Sequence, residues 1–146
     1  MGDKMVNYWL WVNSGLMDIG EEMNKNEEYV WEGCDQRTSK GDLVLIYRTN
    51  PYKHIKYFAE VLKDPEEEEI WTQKGKKIGH TCSFIIKQSF ENPLAIKQMR
   101  DSEELKDWYP LKMSFIRMVF KIDYQYWIIL RDLLIDNNPN HKSVFE

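Results

Sequence analysis

Short apolar runs alternate with turn residues along this chain. The clearest runs cover residues 8–12 (YWLWV), 43–47 (LVLIY), 57–62 (YFAEVL) and 81–90 (TCSFIIKQSF). Runs of this length that are rich in aromatic and β-branched residues and bounded by Asn, Gly or Pro are typical of β-strands. The unbroken run 43–47 predicts a strand covered on both faces, and run 57–62 is its natural antiparallel neighbour.

Apolar residues return at helical spacing elsewhere in the chain. One helix is predicted from residue 16 to about residue 26, and another follows Asp123 and turns its Trp and Leu residues inward. A shorter helix is predicted to begin near residue 101 and to end at Pro110. The polar residues 136–146 are expected to form a loose tail.

Several strands with scattered short helices predict an α+β fold, built on a small, strongly curved sheet or barrel. The length of 146 residues is typical of one domain, so residues 1–146 are assigned to a single domain. Aromatic residues make up 14% of the chain, which supplies apolar surface for a substantial core.

The overall charge does not by itself indicate a nucleic-acid partner. The formal net charge is −4, but it is unevenly distributed, because the acidic run 66–69 is closely followed by Lys74, Lys76 and Lys77. A charge run is usually a solvated loop. The alternative is that these basic residues contact phosphate.

Neither the cysteines nor the apolar runs indicate a secreted or membrane protein. Cys34 and Cys82 are far apart, so we expect two separate buried thiols instead of a disulfide framework or a Cys-based zinc site. No segment reaches the roughly 18 apolar residues of a membrane span, and the chain begins without a basic-then-apolar leader. The expected location is the cytoplasm, with no membrane partner.

Motifs that indicate catalysis are missing from the sequence. It has no GxxxxGK[ST] or GxGxxG phosphate loop and no GxSxG nucleophile turn. His54, His80 and His141 stand singly on polar segments, without a second histidine at ligand spacing. We therefore expect a non-catalytic protein without a metal or cofactor.

Two tryptophans stand beside turn or polar residues. Trp31 is followed by Glu32 and Gly33, and Trp71 lies alone in a polar stretch. Such a residue either folds back over the core or walls a pocket, where its flat ring stacks on a base. A base pocket also needs polar groups that read the edge of the base, and Asn13 and Ser14 at the end of the first strand can supply them.

Five motifs in order resemble those of one known family. They are YWLWVNSG at 8–15, VWEG at 30–33, KGDLVLIYRTN at 40–50, YFAEVLKD at 57–64 and LKMSFIRMVFKID at 111–123. Together they resemble the EVE domain of the PUA-like superfamily, to which YTH and ASCH domains are related. The resemblance covers nearly the whole chain. It implies a barrel-like sheet of five or six strands with flanking helices, and a role as a nucleic-acid module.

The resemblance also implies a base-binding site. EVE domains are similar to YTH domains, which hold a methylated RNA base in an aromatic cage, and prokaryotic EVE modules are linked to modified cytosine in DNA. Carried onto this sequence, the implied base-binding residues are Trp31, Asn13, Ser14, Trp71, Met113, Ser114 and Phe115.

The resulting hypothesis is a recognition module that holds a modified or flipped base of DNA or RNA in an aromatic pocket, with DNA favoured over RNA. The residues expected to contact phosphate are Lys74, Lys76, Lys77, Arg37 and Arg48. Two alternatives stay open. One is a protein that binds a nucleoside-like small molecule, and the other is an enzyme that acts on nucleosides.

Overall fold

The computed structural model describes residues 5–13 and 22–146. The strands within these residues are β1 (Tyr8–Asn13), β2 (Glu28–Glu32), β3 (Leu43–Arg48), β4 (His54–Val61), β5 (Glu66–Thr72), β6 (Gly75–Ala95) and β7 (Val119–Ile122). The helices within the same residues are α1 (Ile96–Arg100), α2 (Tyr109–Lys112) and α3 (Tyr124–Asn137), followed by a 3-10 helix (Pro139–Phe145).

The strands form one curled mixed sheet, a half-barrel, in the order β2-β6-β4-β3-β1-β7. Neighbouring strands run antiparallel except β1 and β3, which are parallel. The 21-residue β6 pairs with β5 and β2 through its first half and with β4 through its second half. The predicted α+β fold with a curved sheet is confirmed, as is the antiparallel pairing of runs 43–47 and 57–62.

Apolar residues cover both faces of the central strands. Successive residues of a strand point to opposite faces, so in β1 Trp9 and Trp11 lie on one face, here called the inner face. Leu10 and Val12 lie on the other, the outer face, which packs against α3. The same alternation buries β3 from both sides, as its unbroken apolar run predicts.

The C-terminal segment covers the outer face. α3 places Trp127 and Leu134 in the outer core, as predicted. The residues after α3 do not form the loose tail that their polar composition suggests. Phe145 of the 3-10 helix stacks on Phe58 with ring centroids 4.6 Å apart, and Asn138 is buried and hydrogen-bonds Asn92 on β6. Two anchoring side chains are enough to fasten an otherwise polar segment.

β5 and the start of β6 form a polar hairpin that extends from the sheet. Its register runs from Glu66 opposite Thr81 to Thr72 opposite Gly75. The sequence suggests only a solvated loop here, because neither face of the hairpin is apolar and no burial pattern marks the strands. Backbone pairing alone defines this element.

Two of the predicted helices differ from the structure. Residues 22–26 of the predicted helix 16–26 are not helical, and its earlier part lies outside the described residues. Residues 101–107 form turns, and Pro110 stands in the first turn of α2 instead of ending a helix. A proline is tolerated there because the first helical N–H groups have no partner within the helix.

The turn Lys40-Gly41-Asp42 fastens β1 to β3. The side chain of Asp42 is fully buried, and its carboxylate accepts hydrogen bonds from Trp9 Nε1 at 2.9 Å, Asn7 N at 3.1 Å and Ser39 N at 2.8 Å. Gly41 has a φ of 91°, a conformation that glycine adopts without steric cost. The parallel pair therefore starts in a fixed register.

Cys34 and Cys82 lie against each other and form a disulfide, with Cα atoms 6.2 Å apart. The pairing of β2 with β6 places Trp31 opposite Cys82, and the turn after β2 brings Cys34 back to it. The expectation of two separate thiols is wrong. A separation of 48 residues in sequence says nothing about which strands pair.

No helix within residues 5–13 and 22–146 is long and apolar enough to cross a membrane.

Replacing Asp42 with Ala should destabilise the fold by about 3 kcal/mol or more, because three donors then lose a charged acceptor and one of them, the Trp9 indole, stays buried. Asp64→Ala is the matched control, since its carboxylate accepts one bond from Lys40 N at the surface and its loss should cost less than about 1 kcal/mol. Urea denaturation measures both. Equal losses in the two variants would refute the assigned role of Asp42.

Candidate functional site

Trp11 stacks on Trp31 on the inner face near the end of β1, and Asn13 follows on the same strand. Trp11 and Asn13 are two positions apart and so share this face. Trp31 of β2 reaches Trp11 across the interior of the half-barrel, with ring centroids 4.8 Å apart and planes at 19°. Trp11, Asn13 and Trp31 are called the indole site below.

The indole site holds polar atoms without partners. Among the described residues, the buried side-chain atoms that lack a hydrogen bond are Trp11 Nε1, Trp31 Nε1 and Asn13 Oδ1. Folded proteins pair nearly all such atoms, and each exception requires an explanation. The two N–H donors belong to stacked rings, the carbonyl acceptor lies two residues beyond Trp11 on the same strand, and such groups can pair with a polar ligand.

Trp31 is not the open wall that the sequence predicts. It is 6% exposed, Trp11 covers one face of its ring, and Phe84 approaches it edge-on at 6.5 Å. A two-sided cage around a ligand is therefore not available at this ring in the described conformation. Its contribution to a pocket stays a prediction, and it rests on the unpaired indole N–H.

Trp71 lies far from the indole site. It is 75% exposed on the hairpin and pairs with Lys76, whereas Trp31 pairs with Cys82. Six residues of β6 separate these two positions, a distance of about 20 Å along the strand at about 3.3 Å per residue. The structure does not bring the two predicted cage tryptophans together.

The remaining predicted base contacts divide between two places. Ser14 lies outside the described residues. Phe115 is buried on the outer side and stacks on Tyr47 with centroids 4.1 Å apart. Ser114 and Met113 precede it in the same turn, so the sheet separates this group from the indole site.

Arg48 borders the indole site as the register partner of Asn13. Its guanidinium lies 3.9 Å from the ring centroid of Tyr52, and its Nε donates to Nε2 of His54 at 3.0 Å. Burial lowers the pKa of His54 to about 4, and the charges of Arg48 and Lys56 act in the same direction. His54 is therefore neutral at neutral pH and serves as the acceptor that orients Arg48.

Arg37 forms an ion pair with the carboxylate of Asp35. It binds Asp35 through two parallel hydrogen bonds, from Nε at 3.0 Å and from Nη2 at 2.8 Å. The hydrogen bond from Arg37 is the largest cause that lowers the pKa of Asp35, so this carboxylate stays charged near neutrality. The guanidinium also lies 5.8 Å from the ring of Trp9, at the opposite end of β1 from Asn13.

The hairpin lysines face the acidic run. Lys76 forms an ion pair with Glu69, and the strand that carries Glu66 to Glu69 lies directly beside the strand that carries Lys76 and Lys77. Phosphate contacts at this place require the carboxylates to point away, and Glu69 does not. The hairpin is thus a mixed-charge surface, not a basic one.

The family profile of the EVE domain matches residues 7–133, which is most of the chain. This protein belongs to the EVE domain family. The resemblance noted from the five motifs is confirmed. No functionally curated protein matches the chain in sequence.

Solved structures with the same fold come from several different organisms. A protein of Rhodopseudomonas palustris is 18% identical, with a TM-score of 0.68 over 86% of this chain and 90% of its own. A hypothetical protein of Leishmania major is 12% identical, with a TM-score of 0.70 over 91% and 97%. An ASCH protein of Zymomonas mobilis is 11% identical, with a TM-score of 0.54 over 86% and 95%. At these identities the likeness shows the fold, which is PUA-like.

Sequence reasoning about this EVE domain missed Trp11. The apolar strand around it indicates a core residue, and it is indeed fully buried. Trp9 shares its face but differs in that Asp42 accepts its indole N–H. The Trp-x-Trp spacing predicts that both rings share one face of the strand. It does not predict which of the two indole N–H groups finds a hydrogen-bond acceptor. Sequence reasoning also missed three cations, scattered along the chain, that stand with Lys53 around a cleft on the outer side: Arg100, Lys106 and Lys112.

Trp31→Ala should destabilise the EVE domain by about 3–5 kcal/mol, because it opens a large cavity beside Trp11. Trp71→Ala removes the same side chain from an exposed position and should change stability by less than about 0.5 kcal/mol. Urea denaturation of both variants distinguishes the buried ring from the exposed one. A Trp31→Ala protein as stable as wild type would show that this ring is not part of the core.

Stability should fall as the pH drops from about 6.5 to about 4, in part because of His54. The unfolded chain takes up the His54 proton near pH 6.5, whereas the folded protein takes it up near pH 4. Protons therefore favour the unfolded state between these values. Since His54 is only half-buried, solvent screening limits the effect to about 1 kcal/mol.

His54→Gln keeps an acceptor for Arg48 and cannot titrate, so it should lose less stability than wild type across this pH range. The measurement is the difference in unfolding free energy between pH 7 and pH 4.5 for each protein. Identical losses in wild type and variant would contradict the assigned state of His54.

Proposed function

We propose that this EVE domain is a non-catalytic module that binds a nucleic-acid strand by holding one flipped or modified base at the indole site. The observation that carries the proposal is the set of unpaired buried atoms, Trp11 Nε1, Trp31 Nε1 and Asn13 Oδ1. Leaving each one buried without a partner costs about 1–3 kcal/mol. A ligand that pairs with all of them recovers that free energy only when it is bound.

The number and type of these atoms favour a pyrimidine edge over a purine edge. The Watson–Crick edge of cytosine carries one donor, the N4 amino group, and two acceptors, N3 and O2. This set of base atoms is complementary to the one acceptor of Asn13 and the two indole donors of the protein. Guanine carries the opposite set, so it would place donors against the indole N–H groups. A methyl group at C5 leaves this edge unchanged, and a modified cytosine therefore fits the same three partners. Thymine carries the same count as cytosine, with its donor N3–H between two acceptors, and the resemblance to EVE modules linked to modified cytosine places cytosine ahead of thymine.

Arg48 is suited to the strand beside the base. It lies next to Asn13 in the parallel pair, and one hydrogen bond to His54 together with the Tyr52 ring holds its guanidinium in place. An oriented guanidinium recognises phosphate through paired N–H groups. We place DNA ahead of RNA as the partner on the resemblance to prokaryotic EVE modules.

A nucleoside-like small molecule is the second candidate. The net charge of −4 favours it, as do the carboxylate partners of Arg37 and Lys76. The salt dependence of binding distinguishes a nucleic-acid strand from a nucleoside-like small molecule. Binding of a strand weakens as salt rises, because phosphate contacts release counterions, whereas binding of a neutral nucleoside does not.

Asn13→Ala should weaken binding of a cytosine-containing single-stranded DNA by about tenfold or more, because it removes one hydrogen bond to the base. It should leave stability unchanged or slightly raised, because the acceptor it removes has no partner in the protein. The measurement is the Kd for oligonucleotides that carry cytosine, 5-methylcytosine, adenine, guanine or thymine at one central position.

Asn138→Ala is the matched control. This asparagine is buried and uses its side chain in three hydrogen bonds, to Asn92 N, Asn92 O and Leu134 O. Its loss should lower stability and leave the Kd unchanged. The proposal fails if Asn13→Ala binds every oligonucleotide as tightly as wild type, or if wild type binds none of them.

A further inference from the structure

A basic cleft lies on the outer side, across the sheet edge from the indole site. It consists of two cavities of about 270 and 250 Å³, and Arg100 and Ser114 line both. Lys53 stands at the first cavity, and Lys106 and Lys112 stand at the second. None of the described residues that line either cavity is a carboxylate.

The cations of this cleft are mostly unpaired. Among the described residues, no carboxylate forms an ion pair with Lys53, Arg100 or Lys112. Lys106 binds Glu103 at 3.0 Å, but both side chains are largely exposed, and such a surface pair is weak. This concentration of positive charge stands out in a chain of net charge −4. It differs from the hairpin, where Glu69 pairs with Lys76.

The walls of the cleft are held in unusual backbone conformations. Lys53 and Ser114 line the cleft and both have a φ of 52°, and Phe115, which follows Ser114, has a φ of 56°. These values lie in the left-handed region that non-glycine residues rarely adopt. Hydrogen bonds hold the residues there, from Ser114 N to Leu111 O at 3.0 Å and from Ile96 N to Lys53 O at 2.9 Å. Conformations of this cost cluster at binding sites, where the surrounding structure enforces them.

The cleft is joined to the indole site through Thr49. Thr49 lines the first cavity, and its backbone N donates to Asn13 O at 3.2 Å. Tyr47, two residues earlier, forms part of the same wall and is fixed by its stack on Phe115. This contact places one end of the cleft beside the end of β1, which carries Asn13.

We propose that the basic cleft binds the phosphodiester backbone of the strand whose base occupies the indole site. This inference rests on the proposed function and adds the path of the strand. Two joined cavities with cations along both suit a row of phosphates better than a single anion. The residues proposed to contact phosphate are therefore Lys53, Arg100 and Lys112 instead of the hairpin lysines.

The first test compares two variants that remove the same charge. The cleft variant is Lys53→Gln, Arg100→Gln and Lys112→Gln, and the control is Lys74→Gln, Lys76→Gln and Lys77→Gln on the hairpin. All six side chains are exposed, so both proteins should fold. The measurement is log Kd against log salt for a single-stranded cytosine oligonucleotide and for one of different sequence.

The cleft variant should flatten this slope by about 0.7 for each lost phosphate contact, equally for both sequences, whereas the hairpin variant should keep the slope of wild type. A cleft variant with the slope of wild type would overturn the proposal. So would a hairpin variant whose slope falls as much as that of the cleft variant.

The second test does not depend on the base site. Wild type is titrated with an abasic DNA oligonucleotide at low salt, and backbone amide signals are followed by NMR. Residues 49–53, 96–100 and 112–115 should shift, and the cleft variant should show no shifts. Absence of shifts in wild type would overturn the strand path. The same holds if inorganic phosphate, at a concentration equal to that of the oligonucleotide phosphates, causes shifts of the same size. A protein that binds the abasic strand but shows no base preference contradicts only the proposed function.

Discussion

The carboxylate of Asp42 is buried and accepts hydrogen bonds from two backbone N–H groups and from the indole of Trp9. These bonds set the register of β1 beside β3, the parallel pair of the sheet. Because parallel strands end at the same edge, Asn13 and Arg48 emerge side by side. The indole site and the basic cleft both lie at that edge, so their position follows from one turn far from either.

The two tryptophans of β1 differ in whether their indole N–H has a partner. Trp9 and Trp11 share a face, and both are buried in the inner core. Asp42 satisfies the indole of Trp9, whereas the indole of Trp11 has no partner. Stability alone favours replacing such an orphan donor with an apolar ring, because a buried unpaired N–H is costly. Its presence beside Trp31 and Asn13, which also carry unpaired buried atoms, is the physical basis for the proposed ligand at this place.

The sequence predicts the central sheet well and the site only in part. Runs 43–47 and 57–62 are apolar enough that burial decides their structure. The β5–β6 hairpin has no such pattern, since it is defined by backbone pairing, and this pairing places Trp71 far from Trp31. The disulfide between Cys34 and Cys82 depends on strand pairing between distant segments, which no local pattern encodes. Unpaired atoms and unpaired cations likewise become visible only when the strands are in place.

The most direct test of the central claim uses the six tryptophan indoles as separate reporters. Each Nε1–H gives its own signal in a ¹⁵N-resolved NMR spectrum, which can be assigned with single Trp→Phe variants and followed while a cytosine-containing oligonucleotide is added. The signals of Trp11 and Trp31 should shift to new positions at saturation, because their donors gain an acceptor. The signal of Trp9, already bonded to Asp42, should stay in place. Unchanged Trp11 and Trp31 signals in a saturated complex would contradict the account.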